Sequence, residues 1–143
     1  MTTMSELNLT VNKTVPAPPE KVFNAWLDPE MLVKFMVPME GAYVSDAKVD
    51  AREGGSFSFM FMDGDNQLPH SGTYQTIDRH SRLVFSWQSP FSVDGSTVSL
   101  SFTPNGDNAT DVELYHEKFA DEDSRNNHNS GWTSILDNLS RSF

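Results

Sequence analysis

The residues of this chain that could do chemistry are few, and His116 is the first of them. It alternates with Leu114 along an apolar run, so it should face the interior, where a histidine can orient a ligand or shuttle a proton. The alternative, which the pattern favours, is a buried histidine whose ring nitrogens are hydrogen-bonded and which serves only the fold. A catalytic role would need a polar partner, for which Arg52 and Tyr74 are the candidates.

Metal and nucleophile sites are not indicated by the remaining residue types. His70, His80 and His128 show no ligand-pair spacing, and residues 63–66 lack the later glycine and the terminal glutamate of a calcium loop. Cysteine is absent, and no serine lies in a nucleophile-elbow sequence. We therefore expect no metal and no cofactor, and the sequence favours a binding protein over an enzyme.

Aromatic residues are the more prominent pattern. Phe57, Phe59 and Phe61 alternate with serine and methionine, so three rings share one face of a strand, and Phe85 and Trp87 alternate in the same way. Such rings could line a cavity for an apolar or aromatic ligand. The alternative is a tightly packed core without a cavity, which the pattern alone favours.

A helix and a sheet are needed to bring these residues together. Apolar residues near the C-terminus recur at i, i+3, i+4, i+7 and i+11, which predicts one stripe of a helix: Trp132, Ile135, Leu136, Leu139 and Phe143. Six runs between residues 44 and 119 alternate or are rich in β-branched and aromatic residues, which predicts an antiparallel sheet with one apolar face. The helix should cover that face.

The other elements follow in order along the chain. Leu7 to about Val15 predicts a first strand, and the prolines after it predict two short helices in an elbow, separated at Asp28. The later strands are predicted at residues 42–50, 56–62, 72–78, 82–88, 97–103 and 111–119. Residues 121–130 are rich in Asn and Ser, so helix propensity alone predicts a loop there.

Length and charge limit the function classes. A chain of 143 residues suits a single domain over residues 1–143. Its 20 acidic and 10 basic residues give a net charge of −10, which would repel nucleic acids and anionic membranes. Residues 1–9 do not form a signal peptide, and no apolar run could span a membrane, so we expect a cytoplasmic monomer or homodimer without membrane insertion.

Six short motifs in a fixed order point to a known family. They are APPEKVFNAW at residues 17–26 followed by Asp28-Pro29, REGG at 52–55, GTY at 72–74 with Ile77, RLVFSW at 82–87, LYH at 114–116, and GW at 131–132 with LDNL at 136–139. In these motifs nearly the whole chain resembles the domain named for the activator of the ninety-kilodalton heat-shock chaperone's ATPase, the AHSA-like family. That family is part of the SRPBCC superfamily of START and birch-pollen-allergen proteins.

The resemblance implies an α+β helix-grip fold. In that fold a curved antiparallel sheet of about seven strands has two short helices after strand one and a long C-terminal helix packed across it. Residues 121–131 would then be helical against their propensity, which would put Arg125 and His128 on the stripe of Trp132. Family members often have two tryptophans where this chain has Phe35 and Met36, which implies a more pliable wall.

The resemblance also implies a function. Helix-grip proteins commonly keep a cavity between sheet and long helix, so we expect a small binding protein for a hydrophobic or aromatic molecule. Its candidate cavity residues are Phe35, Met36, Phe57, Phe59, Phe61, Tyr74, Phe85, Trp87, Leu100, Phe102, Leu114, His116, His128, Trp132 and Leu136. One alternative, implied by the family name, is a co-chaperone-like module that stimulates a heat-shock chaperone ATPase in the stress response. A further alternative is a cyclase- or hydrolase-type enzyme in the same cavity.

Overall fold

A seven-stranded antiparallel sheet is the main element of the computed structural model, which describes residues 7–38, 41–90 and 92–143. Its strands lie in the order β1-β7-β6-β5-β4-β3-β2, so sequence neighbours from β2 to β7 form hairpins and β1 closes the far side against β7. The strand bounds are β1 Asn8–Val15, β2 Tyr43–Val49, β3 Ser56–Asp63, β4 Asn66–Asp78, β5 Arg82–Ser86, β6 Thr97–Pro104 and β7 Thr110–Glu117.

Alternation along the strands gives the sheet one apolar face. On β6 and β7 the residues Val98, Leu100 and Leu114 are fully buried, and Leu100 lies directly opposite Leu114. The pairing of β2 with β3 shifts register between Ser45 and Lys48, and the pairing of β4 with β5 shifts between Tyr74 and Thr76. Because such irregularities bend strands and increase twist, they curve the sheet toward its helices.

Three helices cover the inner face: α1 Pro19–Ala25, α2 Pro29–Phe35 and α3 Glu122–Arg141. Asp28 caps α2 by accepting a hydrogen bond from the Glu30 backbone N–H at 2.9 Å, and Asp121 caps α3 in the same way from Ser124 at 2.8 Å. The long helix α3 packs against β1 and α2 and buries Trp132, Ile135, Leu136 and Leu139. The α+β helix-grip fold implied by the resemblance is therefore confirmed.

The structure corrects several predicted boundaries. The strand predicted at 72–78 starts at Asn66, because residues 66–72 pair with β3 along its whole length although Pro69 interrupts their pattern. Residues 122–131 are helical, so the resemblance was right and the propensity was wrong. Phe143, placed on the helix stripe from the sequence, lies beyond α3 and is 40% exposed.

None of the helices in the described ranges is long and apolar enough to cross a membrane.

Candidate ligand-binding site

A small pocket lies between the helix elbow and the inner face of the sheet. Its volume is about 10 Å³, which is room for about one water molecule. The helices contribute Trp26, Leu32 and Met36, and the sheet and the residue after β5 contribute Phe57, Phe59, Tyr74, Phe85 and Trp87. The interior is thus nearly filled, and the rings that could hold a ligand pack mainly on one another.

The rings from the sheet form a continuous cluster. The Phe57 ring centroid is 5.1 Å from that of Phe85 in an edge-to-face arrangement and 5.8 Å from that of Phe59 in a stacked one. Trp87 extends the cluster toward α3, because its ring lies 5.0 Å from that of Trp132. These are favourable distances for aromatic pairs, so the sheet side of the pocket is built from mutually supporting rings.

The helix side of the pocket is formed in part by Trp26, the residue that follows α1. Its ring lies 5.0 Å from Phe35 and 6.4 Å from Trp132, and it is only 3% exposed. α3 therefore reaches the pocket through Trp132, which contacts Trp26 on one side and Trp87 on the other.

The two tryptophans that line the pocket have buried indole N–H groups without a hydrogen-bond partner in the described ranges. The indole Nε1 atoms of Trp26 and Trp87 are buried and have no hydrogen-bond partner in the part of the chain that the structure describes. A buried donor without an acceptor is disfavoured, and most buried polar groups in proteins are paired. Both of these tryptophans line the pocket, so two of its eight lining residues carry an indole N–H without a partner in the described ranges.

The third tryptophan, Trp132, is paired with His116. The Trp132 Nε1–H donates to His116 Nδ1 at 3.0 Å, and His116 Nε2 lies 2.7 Å from Ser96 Oγ. An indole N–H can only donate, so Nδ1 must carry the lone pair and the ring proton must be on Nε2, from which it is donated to Ser96. Burial lowers the pKa of His116 to about 3, with a smaller contribution from the nearby His128, so the ring is neutral.

This arrangement is the one expected for a hydrogen-bonded histidine of the core. The distance from Ser96 to His116 would suit a nucleophile and its base, but Nε2 already bears the proton and cannot accept another from Ser96. The expected partners Arg52 and Tyr74 are not bonded to His116: Arg52 pairs with Asp50 at 2.9 Å in an exposed position, and Tyr74 lines the pocket. In this structure His116 is a hydrogen-bonded histidine that ties α3 to the sheet.

Two other histidines are buried or half-buried nearby. His70 is 5% exposed, donates through Nδ1 to the Leu68 carbonyl at 2.9 Å, and stacks on Phe59. Burial is the main cause that lowers the pKa of His70 to about 4. Burial likewise lowers the pKa of His128, whose ring meets that of His116 edge-on at 5.4 Å. In the described ranges no three or more His, Asp or Glu residues form a group that could hold a metal ion.

The structure sorts the candidate cavity residues into four groups. Those that line the pocket are Met36, Phe57, Phe59, Tyr74, Phe85 and Trp87. Those that contact a lining ring or His70 from outside are Phe35, Phe61, His116 and Trp132; those buried in the core without lining this pocket are Leu100, Phe102, Leu114 and Leu136; and His128 lies further out, against the rings of His116 and Phe119. Trp26 and Leu32 were missed, although their inward-facing periodicity on the elbow helices could have identified them.

Comparisons with known proteins agree on the fold. Residues 16–143 match the family model described as "Activator of Hsp90 ATPase homolog 1-like protein". The chain superimposes on protein CV1439 from Chromobacterium violaceum with a TM-score of 0.83 and 25% identity, over 94% of this chain and 95% of that one. It superimposes on the Mll3558 protein from Rhizobium loti with a TM-score of 0.81 and 25% identity, over 97% of this chain and 98% of that one.

A third solved structure, the AHSA1 protein from Silicibacter pomeroyi, is similar in fold, with a TM-score of 0.79, 24% identity and coverage of 95% and 96%. A comparison with curated protein sequences gives no match.

Proposed function

Because the chain belongs to the family of Activator of Hsp90 ATPase homolog 1-like proteins, we propose that it binds an apolar or aromatic small molecule between its helices and the inner face of its sheet. The observation that carries this proposal is the pocket, whose eight lining residues are all apolar or aromatic. Pockets of this composition are typical of small-molecule sites. The site that we propose therefore lies nearer the elbow of α1 and α2 than the space beneath α3 that was expected from the sequence.

The ligand must enlarge the pocket, and the α2 wall is the part best suited to move. Met36 ends this wall, and its unbranched thioether side chain can adopt several shapes in a core. The backbone after it is held by α3, because Asn138 Nδ2 donates to the Val37 carbonyl at 3.1 Å. A ligand would therefore enter by turning the Met36 side chain while the path of the backbone is retained.

A pocket-filling variant tests this proposal. Naphthalene, indole and long-chain fatty acids serve as probes, and binding is measured by calorimetry and by the shift in melting temperature. We expect at least one probe to bind saturably, and Leu32→Phe to weaken it about 10-fold or more because the added ring occupies the pocket. Leu27→Phe is the matched control, since Leu27 does not line the pocket. No binding by any probe, or equal binding by the Leu32→Phe variant, would overturn the proposal.

A co-chaperone is the second candidate function, and the name of the family is the observation that favours it. The test is the ATPase rate of purified Hsp90 with and without this protein. A stimulated rate that saturates with added protein would support a co-chaperone, whereas an unchanged rate together with probe binding would leave the small-molecule function. Cytoplasmic location and a monomeric or homodimeric state stay predictions from the sequence.

A further inference from the structure

The lining of the pocket offers donors but almost no acceptors. Trp26 and Trp87 each bring a buried, unpartnered indole N–H within the described residues, while the other lining side chains are hydrocarbon apart from the Tyr74 hydroxyl and the Met36 thioether. We infer that the ligand is a neutral aromatic molecule with a carbonyl oxygen, which accepts the hydrogen bonds of these two indoles. This inference rests on the proposed function and names the chemical class of its ligand.

A trapped water would satisfy the two donors less well. A water molecule fits the present volume of about 10 Å³, and its oxygen has two lone pairs that can accept hydrogen bonds. Its own two O–H groups would then need acceptors, and the lining side chains offer only the Tyr74 hydroxyl and a weakly accepting sulfur. A carbonyl oxygen also has two lone pairs but carries no hydrogen, so it can accept two hydrogen bonds and leaves no new group unpaired.

The charge of the surroundings selects a neutral ligand. The lining includes no Lys, Arg or His, so a carboxylate there would be buried without a cation. Burial raises the pKa of Tyr74, and the nearby Asp50 raises it further, so this hydroxyl stays neutral. A cationic ligand would meet two N–H groups that have no lone pair to offer. An uncharged ring with a carbonyl substituent avoids both costs.

Two probes of nearly the same shape measure the contribution of the carbonyl oxygen to binding. Acetophenone and α-methylstyrene have nearly the same planar shape, but a CH₂ group in α-methylstyrene replaces the carbonyl oxygen. We expect calorimetry to show about 10-fold or tighter binding of acetophenone, because only its oxygen can pair the buried donors. Benzoate, which adds a negative charge, should bind more weakly than acetophenone.

Tryptophan variants, and NMR of the indole N–H groups, test whether the preference for acetophenone over α-methylstyrene depends on Trp26 and Trp87. Trp26→Phe and Trp87→Phe should each reduce the acetophenone preference to about 3-fold or less. Phe102→Leu is the control, because it shortens a buried aromatic side chain outside the pocket lining without removing a donor and should leave the preference intact. In the wild type, the indole N–H resonances of Trp26 and Trp87 should move further downfield with acetophenone than with α-methylstyrene, because only acetophenone accepts a hydrogen bond from them. This readout does not depend on how the variants fold.

The outcomes separate the inference from the function on which it rests. Equal affinity for the two probes would overturn the inference and leave the small-molecule function standing. Acetophenone binding without a shift of either indole resonance, or tighter binding of benzoate, would also overturn it. Failure of both probes to bind, together with failure of the fatty acids and bicyclic probes, would remove the function and the inference at once.

Discussion

Trp132 ties the longest helix to the sheet through one hydrogen bond, and His116 can accept that bond only while its ring is neutral. Protonation of His116 would place a second hydrogen on Nδ1, directly opposite the Trp132 Nε1–H at a separation of 3.0 Å. The stability of the fold is therefore linked to the protonation state of a residue that is fully buried.

Acidification to only about pH 5.5 should already lower the free energy of unfolding. The pKa of His116 is about 3 and that of His70 about 4 in the folded protein, both below the value of about 6.5 in an unfolded chain. Between these values the unfolded state binds more protons, so this stability is fully present above about pH 6.5 and is lost as the pH falls. We expect a loss of about 1 kcal/mol for each histidine from pH 7 to about pH 5.5, measured by urea denaturation.

His116→Gln is the control for this pH dependence. A glutamine amide can still donate to Ser96 but does not titrate, so the variant should be less stable at pH 7 yet lose about 1 kcal/mol less on acidification. If the variant and the wild type lose the same free energy between the two pH values, His116 is not one of the groups responsible.

Among the helices and strands, those best predicted from the sequence are strands in which buried and exposed side chains alternate. β6 and β7 were predicted within two residues of their observed ends because every second residue is buried on the same face. The first half of β4 was missed because Pro69 and its polar neighbours hide a strand that only pairing with β3 makes evident. The first half of α3 contradicts its own propensity, so only the family resemblance could predict it.

Gly72 allows β4, β5 and the Phe57 ring to approach one another closely. An added Cβ at this position would collide with the Ser86 carbonyl oxygen and lie 2.6 Å from the Phe57 ring. We expect Gly72→Ala to lower the free energy of unfolding by about 3 kcal/mol, measured by chemical denaturation, because neither a carbonyl nor a buried ring can move away freely.

Gly131→Ala, in the long helix α3, is the matched comparison for Gly72→Ala. Here the new methyl would meet only the Pro38 ring, at 3.3 Å, while alanine favours a helix over glycine by about 1 kcal/mol. The variant should be as stable as the wild type or slightly more stable. A Gly131→Ala variant that is destabilised as much as Gly72→Ala would show that the space around α3 is as tight as that inside the sheet.

The two halves of α3 should differ in amide exchange. Residues 122–131 include no fully buried side chain, whereas Trp132, Ile135, Leu136 and Leu139 are all buried. We expect amides of residues 124–130 to exchange with solvent faster than those of residues 135–139, because opening of the first half exposes less core surface. Hydrogen exchange followed by NMR measures this, and uniform protection across the helix would contradict it.

At the scale of the whole molecule, charge is the dominant property. The net charge of −10 is spread over one small domain, and its ion pairs include Lys13 with Asp137, which joins β1 to α3 at 2.9 Å. Self-repulsion of this size destabilises a compact state, and salt screens it. The binding of a neutral ligand inside such a molecule avoids any long-range electrostatic penalty.

Sodium chloride should therefore stabilise the protein. We expect the melting temperature to rise by about 3 °C between low and physiological ionic strength, because screening of the net negative charge outweighs the weakening of exposed ion pairs. Differential scanning calorimetry measures this, and sucrose at equal osmolarity is the control for effects unrelated to charge. A melting temperature that falls with salt would show that the exposed ion pairs matter more than the net charge.

The site was harder to predict than the fold, for a reason that applies to the whole molecule. Strand alternation correctly placed Phe57, Phe59, Phe85 and Trp87 on the inner face. Which inward residues border a pocket depends on how the elbow of α1 and α2 sits over the sheet, and local patterns do not record that placement. Trp26, which lines the pocket but was not among the predicted cavity residues, is the example.

The three tryptophans should also give the protein a characteristic circular dichroism signal in the ultraviolet. Trp132 lies between Trp26 and Trp87, with ring centroids 6.4 and 5.0 Å away, so the ultraviolet transitions of the three indoles should couple and absorb left- and right-circularly polarised light unequally. One indole belongs to the elbow, one follows β5 and one is on α3, so any separation of these three parts would weaken the shared optical band. The arrangement that closes the interior thus also reports, without a label, whether the interior is closed.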